Sequence, residues 1–418
     1  MDSRIIELTR FFIMLSDAME LASPGMAMHQ LKTSYMALAI AERLDYQRPR
    51  KRDLLYASLL HDIGALSPEE KVELHSPDPE LIARHSASGR TVLARVPLLE
   101  RSASIIGCHH EPWNSAADHR SAESFDGNII HLADSVEISL DWDQYILFQH
   151  EAVRREVRAL RGTEFAPEIA DAFLEVSEPE EFWLALASPR LPADFAEDER
   201  LVTYHCSIPE FAPISKLVRD IIDFRSTFTA THSSGVAASA SVLGSLFGFS
   251  EDDRLALEIA GNLHDIGKMA VPNSILLKPA ALDERETAIV RQHPYHTGTV
   301  LSRGGLPREI VEWASWHHER LDGSGYPRRS SARTISLGSR ILAVTDVFTA
   351  LAEERPYRPA MRREPIQRLL DEEVSAGMLE PSVVGLVQDK YDLVVEAMRS
   401  AQESAADFYR TRLALSLP

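Results

Sequence analysis

Cysteine is nearly absent. Cys108 and Cys206 are the only two, too few for a disulfide framework, and they point to a reducing compartment. Long apolar runs are missing as well. The short run Phe11 to Leu15 lies among Asp2, Arg4, Glu7, Arg10 and Asp17, and nothing approaches the roughly 20 apolar residues that span a bilayer. No signal-peptide layout is visible. A soluble cytoplasmic protein with no membrane partner is therefore expected. No low-complexity tract is present, which excludes a fibrous or disordered chain. A basic excess is lacking too. The net charge of −19 argues against a nucleic-acid polymer as partner, since such polymers recruit Lys and Arg. A small phosphate ester stays open, because bound divalent metals can override the overall field of a site.

Histidine is what the chain does have, and its placement repeats. The first half reads His29, His61-Asp62, His85, His109-His110, Asp134; the second reads His232, His264-Asp265, His293, His317-His318, Asp346. In both copies 32 residues separate the first His from the His-Asp pair, and 24 separate the third His from the His-His pair. Sixteen histidines scattered at random would rarely do this, so the chain holds two copies of one domain. Its 418 residues suit two cores better than one. Flanking residues repeat too: Ile129 to Glu137 parallels Ile341 to Thr349, and Gly162 to Pro167 parallels Gly377 to Pro381. The expected organisation is a first domain over 1–187, a linker over 188–208 rich in prolines and acids, and a second domain over 209–418.

Periodicity is helical. His29, Thr33, Met36 and Ile40 share one face, as do His232, Val236, Ser239 and Leu243. Apolar residues crowd Arg52 to His61 and Arg254 to His264, each ending at His-Asp. Strand-like alternation is scarce, and loops fall at Pro272 to Pro279, Gly304 to Pro307 and Gly323 to Pro327. The fold class is all-α: two tandem helical bundles.

Imidazole and carboxylate together suit iron, manganese, zinc or similar divalent ions. Neighbours on a helix diverge by about 100°, yet Asp265 can still serve a centre shared with His264 if its carboxylate bridges two ions. On this reading His232 and Asp346 complete one ion's shell, and His293, His317 and His318 the other's. A two-metal centre activates a water and clamps the attacking and leaving oxygens of an in-line displacement. The chemistry indicated is metal-assisted hydrolysis of a phosphate ester. A lone buried histidine is more often a hydrogen-bonded core residue than a ligand, but five elements in the same order, twice, reverse that balance.

The run His317 to Pro327 (HHERLDGSGYP) follows His264-Asp265-Ile266-Gly267-Lys268 and precedes Asp346 and Arg355-Pro356-Tyr357-Arg358. Over about residues 215 to 400 the chain resembles the HD-GYP phosphodiesterases. That resemblance implies hydrolysis of a cyclic dinucleotide, cyclic di-GMP or 3′,3′-cyclic GMP-AMP, to a linear dinucleotide, in bacterial second-messenger signalling. It implies two metal ions, iron or manganese, since Phe228 stands where some members carry a glutamate for a third. Asp265 and Lys268 are the expected catalytic residues, Lys268 reaching a nonbridging phosphate oxygen. Gly325, Tyr326, Pro327, Arg355 and Arg358 are expected at the substrate, Tyr326 by stacking on a base and the arginines by gripping a phosphate or guanine edge. Gly323 and Gly325 permit turns closed to other residues, and Asp322 with Arg320 is expected to brace that turn.

The first copy keeps His29, His61, Asp62, His85, His109, His110 and Asp134 but has Ala65 in place of the lysine, and Pro112-Trp113-Asn114 in place of the GYP turn. It resembles a plain HD domain. A further metal centre is expected there, because unpaired buried ligands are costly to keep. Whether it acts on a nucleotide phosphate or only supports its neighbour stays open at this level. The competing reading for the whole chain is a cyclic-dinucleotide sensor or docking module, with a signalling protein or a second copy of the chain as partner.

Overall fold

A computed structural model describes residues 4–21, 28–65, 79–114, 121–198, 200–224, 231–354 and 359–416. Helices dominate, and the single sheet among the described residues is a two-residue antiparallel pair. The chain divides into two units: Leu8–Tyr204, and His205–Ala414 together with residues 4–7.

In the first unit the helix His29–Arg43 is central, buried throughout except at Tyr35 and its last two residues. Its polar residues Gln30, Lys32, Thr33 and Ser34 are buried along with Leu31, Met36, Leu38 and Ile40, as in a helix enclosed on every side. Arg48–Leu59 and Ala122–Ser139 pack against it. Further along, Phe173, Phe182 and Trp183 meet edge to face at ring centroids 5.3 to 6.1 Å apart. The stretch expected as a linker is not free chain at its start. It carries the helix Leu191–Ala196, and Leu191 and Phe195 are buried in the first unit. Two large apolar side chains, spaced one helical turn apart, outweigh the prolines and acids around them.

In the second unit the equivalent helix, His232–Leu246, is built of small residues. That composition sets how close its neighbour comes. A Cβ on Gly261, in Glu251–Leu263, would lie 2.7 Å from the Ala237 Cα. The neighbour starts where Ser250 accepts from the Asp253 amide at 3.1 Å, with Glu251, Asp252 and Asp253 in the positive first turn. It ends at His264, where the chain tightens into Ile266–Ala270. His293–Arg303, Arg308–Ser315 and Leu337–Ala352 complete the surround of the site.

The described N-terminal residues belong to this second unit. Ile6–Glu7 pairs antiparallel with His205–Cys206, Ile6 opposite Cys206. Arg4 forms ion pairs with Asp253 and Glu309. Among the described residues no helix is long and apolar enough to cross a membrane.

Candidate metal centres

Three of the second unit's histidines share one construction. His264, His293 and His317 each place Nδ1 on the carbonyl three residues earlier: Gly261 at 2.7 Å, Val290 at 2.8 Å and Ala314 at 2.7 Å. A carbonyl only accepts, so each Nδ1 carries the proton and each Nε2 turns inward. In the first unit His61 and His109 do the same with Ser58 at 2.8 Å and Ile106 at 2.6 Å. Helix ends supply these carbonyls, since the last turns leave oxygens unpaired.

The inward nitrogens face one another. His293 Nε2 lies 3.2 Å from His317 Nε2. Burial, the first cause for both, depresses their protonation, His293 down to about 3 and His317 well below the ordinary range. Two neutral imidazoles thus aim lone pairs at each other, an arrangement that a shared cation relieves. His264 Nε2 is buried without a hydrogen-bond partner. Asp265 stands between the groups, Oδ1 3.3 Å from His293 Nε2 and Oδ2 3.2 Å from His264 Nε2. Burial opposes its ionisation, but His264 and Lys268 hold the carboxyl well below the usual range. Lys268 donates to Asp265 Oδ2.

Ligand atoms within 4.8 Å of one another form three overlapping sets: His293, His317 and His318; His232, His264 and Asp346; and His264, Asp265 and His317. The nitrogen and oxygen donors suit a borderline divalent ion. His232 Nε2 sits 3.0 Å from Asp346 Oδ1, and its Nδ1 lies 3.1 Å from Glu353 Oε1. Burial lowers His232, but Glu353 and Asp346 prevail and push it up to about 10. Gln402 donates to Glu353 Oε2 at 3.2 Å. Nothing in the motif reading pointed to Glu353 or Gln402.

The turn after the histidines is held from within. Buried Glu319 accepts the Arg328 and Ser330 amides, each at 2.7 Å. Asp322 accepts both the Ser324 amide and hydroxyl. Asp322 therefore braces through Ser324 and not through an ion pair with Arg320. Gly323 has φ +82°, and a Cβ on Gly325 would fall 2.3 Å from the Arg320 amide nitrogen. Tyr326 stacks on His318 at 4.8 Å and 28°, with the Arg291 guanidinium 4.3 Å from its ring centroid. Gly325 is buried beneath it and Pro327 is exposed. Arg355, Arg358 and Phe228 lie outside the described residues.

The first unit gathers its expected residues as well. His85, His109 and His110 form one set and His29, His61 and Asp62 another. His29 Nε2 is 3.2 Å from His61 Nε2 and 3.2 Å from Asp134 Oδ1. The Nε2 atoms of His85, His109 and His110 are buried without hydrogen-bond partners, which is costly unless something binds them. Glu137 takes the role of Glu353, 2.6 Å from His29 Nδ1. Lys32 stands 3.3 Å from Glu137 and over the Trp142 ring at 3.2 Å. In the second unit the matching position is Gly235, whose Cβ would meet Thr349 at 2.9 Å and Gln402 at 3.0 Å. The chain after His110 takes another path, Trp113 and Asn114 donating to the carbonyls of Glu164 and Thr163 at 3.0 and 2.9 Å.

Two further features recur in both units. Gly64 and Gly267 press against the third histidine, where a Cβ would lie 2.2 Å from the His85 carbonyl and 1.9 Å from that of His293. A buried carboxylate also meets the start of each first-histidine helix. Glu20 accepts the Gln30 amide at 2.8 Å, and Asp223 accepts the Ser233 amide at 3.2 Å and its hydroxyl at 2.7 Å.

Family profiles, both described as HD domain, match residues 26–139 and 216–375. The chain carries two HD domains in tandem. The second of them carries the run His317 to Pro327, by which it resembles the HD-GYP phosphodiesterases. Over 400 residues the chain is 29% identical to 3′3′-cGAMP-specific phosphodiesterase 1 of Vibrio cholerae serotype O1, covering 91% of each chain. It is 27% identical to phosphodiesterase 3 of the same name and organism, over 87% of this chain and 89% of that one. The cyclic di-GMP phosphodiesterase response regulator RpfG of Xanthomonas campestris pv. campestris is 40% identical, over 35% of this chain and 39% of its own. The crystal structure of the Vibrio cholerae cyclic GMP-AMP phosphodiesterase V-cGAP3 matches with TM-score 0.62 at 22% identity, over 96% of this chain and 98% of that one. That likeness is one of fold.

Proposed function

We propose that this tandem HD-domain protein is a metal-dependent phosphodiesterase that opens 3′,3′-cyclic GMP-AMP to the linear dinucleotide, with the second HD domain as the working site. The observation that carries the chemistry is the donor cluster of the second domain, in which Asp265 turns one oxygen toward each of two histidine groups. Support for the substrate comes from relatives that share the whole tandem and are cGAMP-specific, whereas the cyclic di-GMP enzyme RpfG shares only about a third of the chain. Cyclic di-GMP is the competing substrate.

His232, His264, His293, His317, His318, Asp265 and Asp346 would hold two divalent ions, for which we propose iron or manganese. When bound, such ions supply an activated water and charge neutralisation at phosphorus. The remaining work falls to side chains. Lys268, side-chain exposure 23%, is close enough to the cluster to share a proton or a charge with a phosphate oxygen beside Asp265. Glu353 fixes the His232 ring so that Nε2 points inward. Glu319 keeps the turn through Gly325 closed, and with it the Tyr326 ring against His318. Arg355 and Arg358 are proposed as further phosphate contacts. The first HD domain is proposed as a second metal centre, on its three unpartnered Nε2 atoms. It has Ala65 where the second domain has Lys268.

The test is product chromatography on metal-loaded protein with both cyclic dinucleotides. A linear dinucleotide from cyclic GMP-AMP is expected, and Asp265→Ala, folded by circular dichroism, should lose at least about a hundredfold in rate if the metals supply several kcal/mol. Tight binding of a cyclic dinucleotide without turnover, metals present, would replace this reading with that of a sensor.

A further inference from the structure

Arg291, Arg320, Arg328 and Arg329 stand on or beside the glycine-rich turn of the second HD domain. Arg291 ends the helix Glu284–Arg291, two residues before His293. The others flank Glu319 and Pro327 in sequence. None of the four forms an ion pair among the described residues, although the chain carries 63 acidic against 44 basic residues. By contrast Lys278, in the loop before that helix, is neutralised by Glu286 at 2.6 Å. Unpaired guanidinium groups gathered in an acidic protein leave a local demand for an anion.

Two of them bear directly on the site. The Arg291 guanidinium rests over the Tyr326 ring, 4.3 Å from its centroid, and that ring stacks on the donor His318. This cation–π contact fixes where the fork sits while leaving its N–H donors unused. Arg320 follows the donor pair by two residues, and the only described hydrogen bond of its guanidinium is a long 3.4 Å contact to the Glu319 carbonyl. The same contacts leave less of the Tyr326 ring for a base, since His318 and Arg291 already lie against it. A guanidinium fork takes a phosphate through two parallel hydrogen bonds. A cyclic dinucleotide has two phosphates, and on the proposed reading the donor cluster takes the one being cleaved.

We propose that Arg291 and Arg320 are substrate-binding residues of the second HD domain, taking the phosphate of the cyclic dinucleotide that is not cleaved. The inference rests on the cyclic-dinucleotide reading of that site. Arg291 lies outside the motifs by which the site was recognised, and Arg320 stands within the run His317 to Pro327. The first HD domain lacks the arrangement, having Ala83 at the position of Arg291 and Pro112 at that of Arg320.

The test compares full-length wild type with Arg291→Gln, Arg320→Gln and Arg291→Lys on 3′,3′-cyclic GMP-AMP and on bis(4-nitrophenyl) phosphate, which has a single phosphate. Each glutamine variant is expected to raise KM for the cyclic dinucleotide about tenfold, the worth of one charged hydrogen bond, with a smaller loss in kcat. Arg291→Lys should recover part of that loss, and more of it at low salt. The small diester should suffer much less. Equal losses on both substrates would mean that the arginines only support Tyr326 and the turn, and an unaltered KM would mean that they are solvated charges; either result overturns the inference. Wild type that cleaves the small diester but neither cyclic dinucleotide would refute the substrate reading itself, and this inference with it.

Discussion

At the scale of single residues, the candidate site depends on groups that stand behind its donors. Glu353 and Glu137 hold the first histidine of each domain by Nδ1. Glu353→Gln removes the charge that orients His232, and a loss of about 10–100-fold in metal affinity or turnover is expected, read by metal titration and by rates at saturating metal. The donors themselves were legible from the chain, because two equal spacings of 32 and 24 residues single them out. The orienting glutamates were not. Glu137 lies three residues after Asp134 and Glu353 seven after Asp346. Both offsets return to one face of a helix, so the same job is done without a shared motif. Thr349, which parallels Glu137, leaves the position open for it. Lys32 and Gln402 were hidden for a similar reason, each coming from an element that has no counterpart contact in the other domain.

At the scale of elements, helices ending at the candidate metal donors were visible as apolar crowding that stops at His-Asp, and the observed ends, Leu59 and Leu263, lie within two residues of those histidines. The loops were visible through Gly and Pro, although Pro272 to Pro279 also contains one turn of helix, Asn273–Leu276. What sequence did not disclose is how the glycine-rich turn keeps its shape. Glu319 does this from beneath by taking two backbone amides. In Glu319→Ala those amides lose a charged acceptor inside the protein, at about 1–3 kcal/mol. Faster hydrogen exchange at Arg328 and Ser330, with a lower unfolding midpoint, is the expected outcome. Exchange at wild-type rates would assign the shape of the turn to its glycines instead.

At the scale of the whole molecule, the tandem was legible as repetition, and each HD-domain match, 26–139 and 216–375, contains one copy of the histidine pattern. The division of the chain between units was less so, since Leu191 and Phe195 join the first unit and residues 4–7 the second. Two expectations follow. Replacing His109 and His110 together by alanine should lower bound metal by about one ion or more per chain, because both are candidate ligands, while more than half of the cyclic-dinucleotide cleavage is retained; elemental analysis and chromatography report the two. Deleting residues 1–7 removes buried Ile6 and the Arg4 ion pairs, and should cost the second unit about 2–3 kcal/mol, chiefly the worth of one buried isoleucine, measured by denaturant unfolding. The strand pairing Ile6 to Cys206 also has a consequence in time. A ribosome adding roughly 5–20 residues per second delivers the partner strand only on the order of 10–40 seconds after Ile6. Ile6 therefore waits for Cys206 through the synthesis of the whole first unit, Leu8–Tyr204.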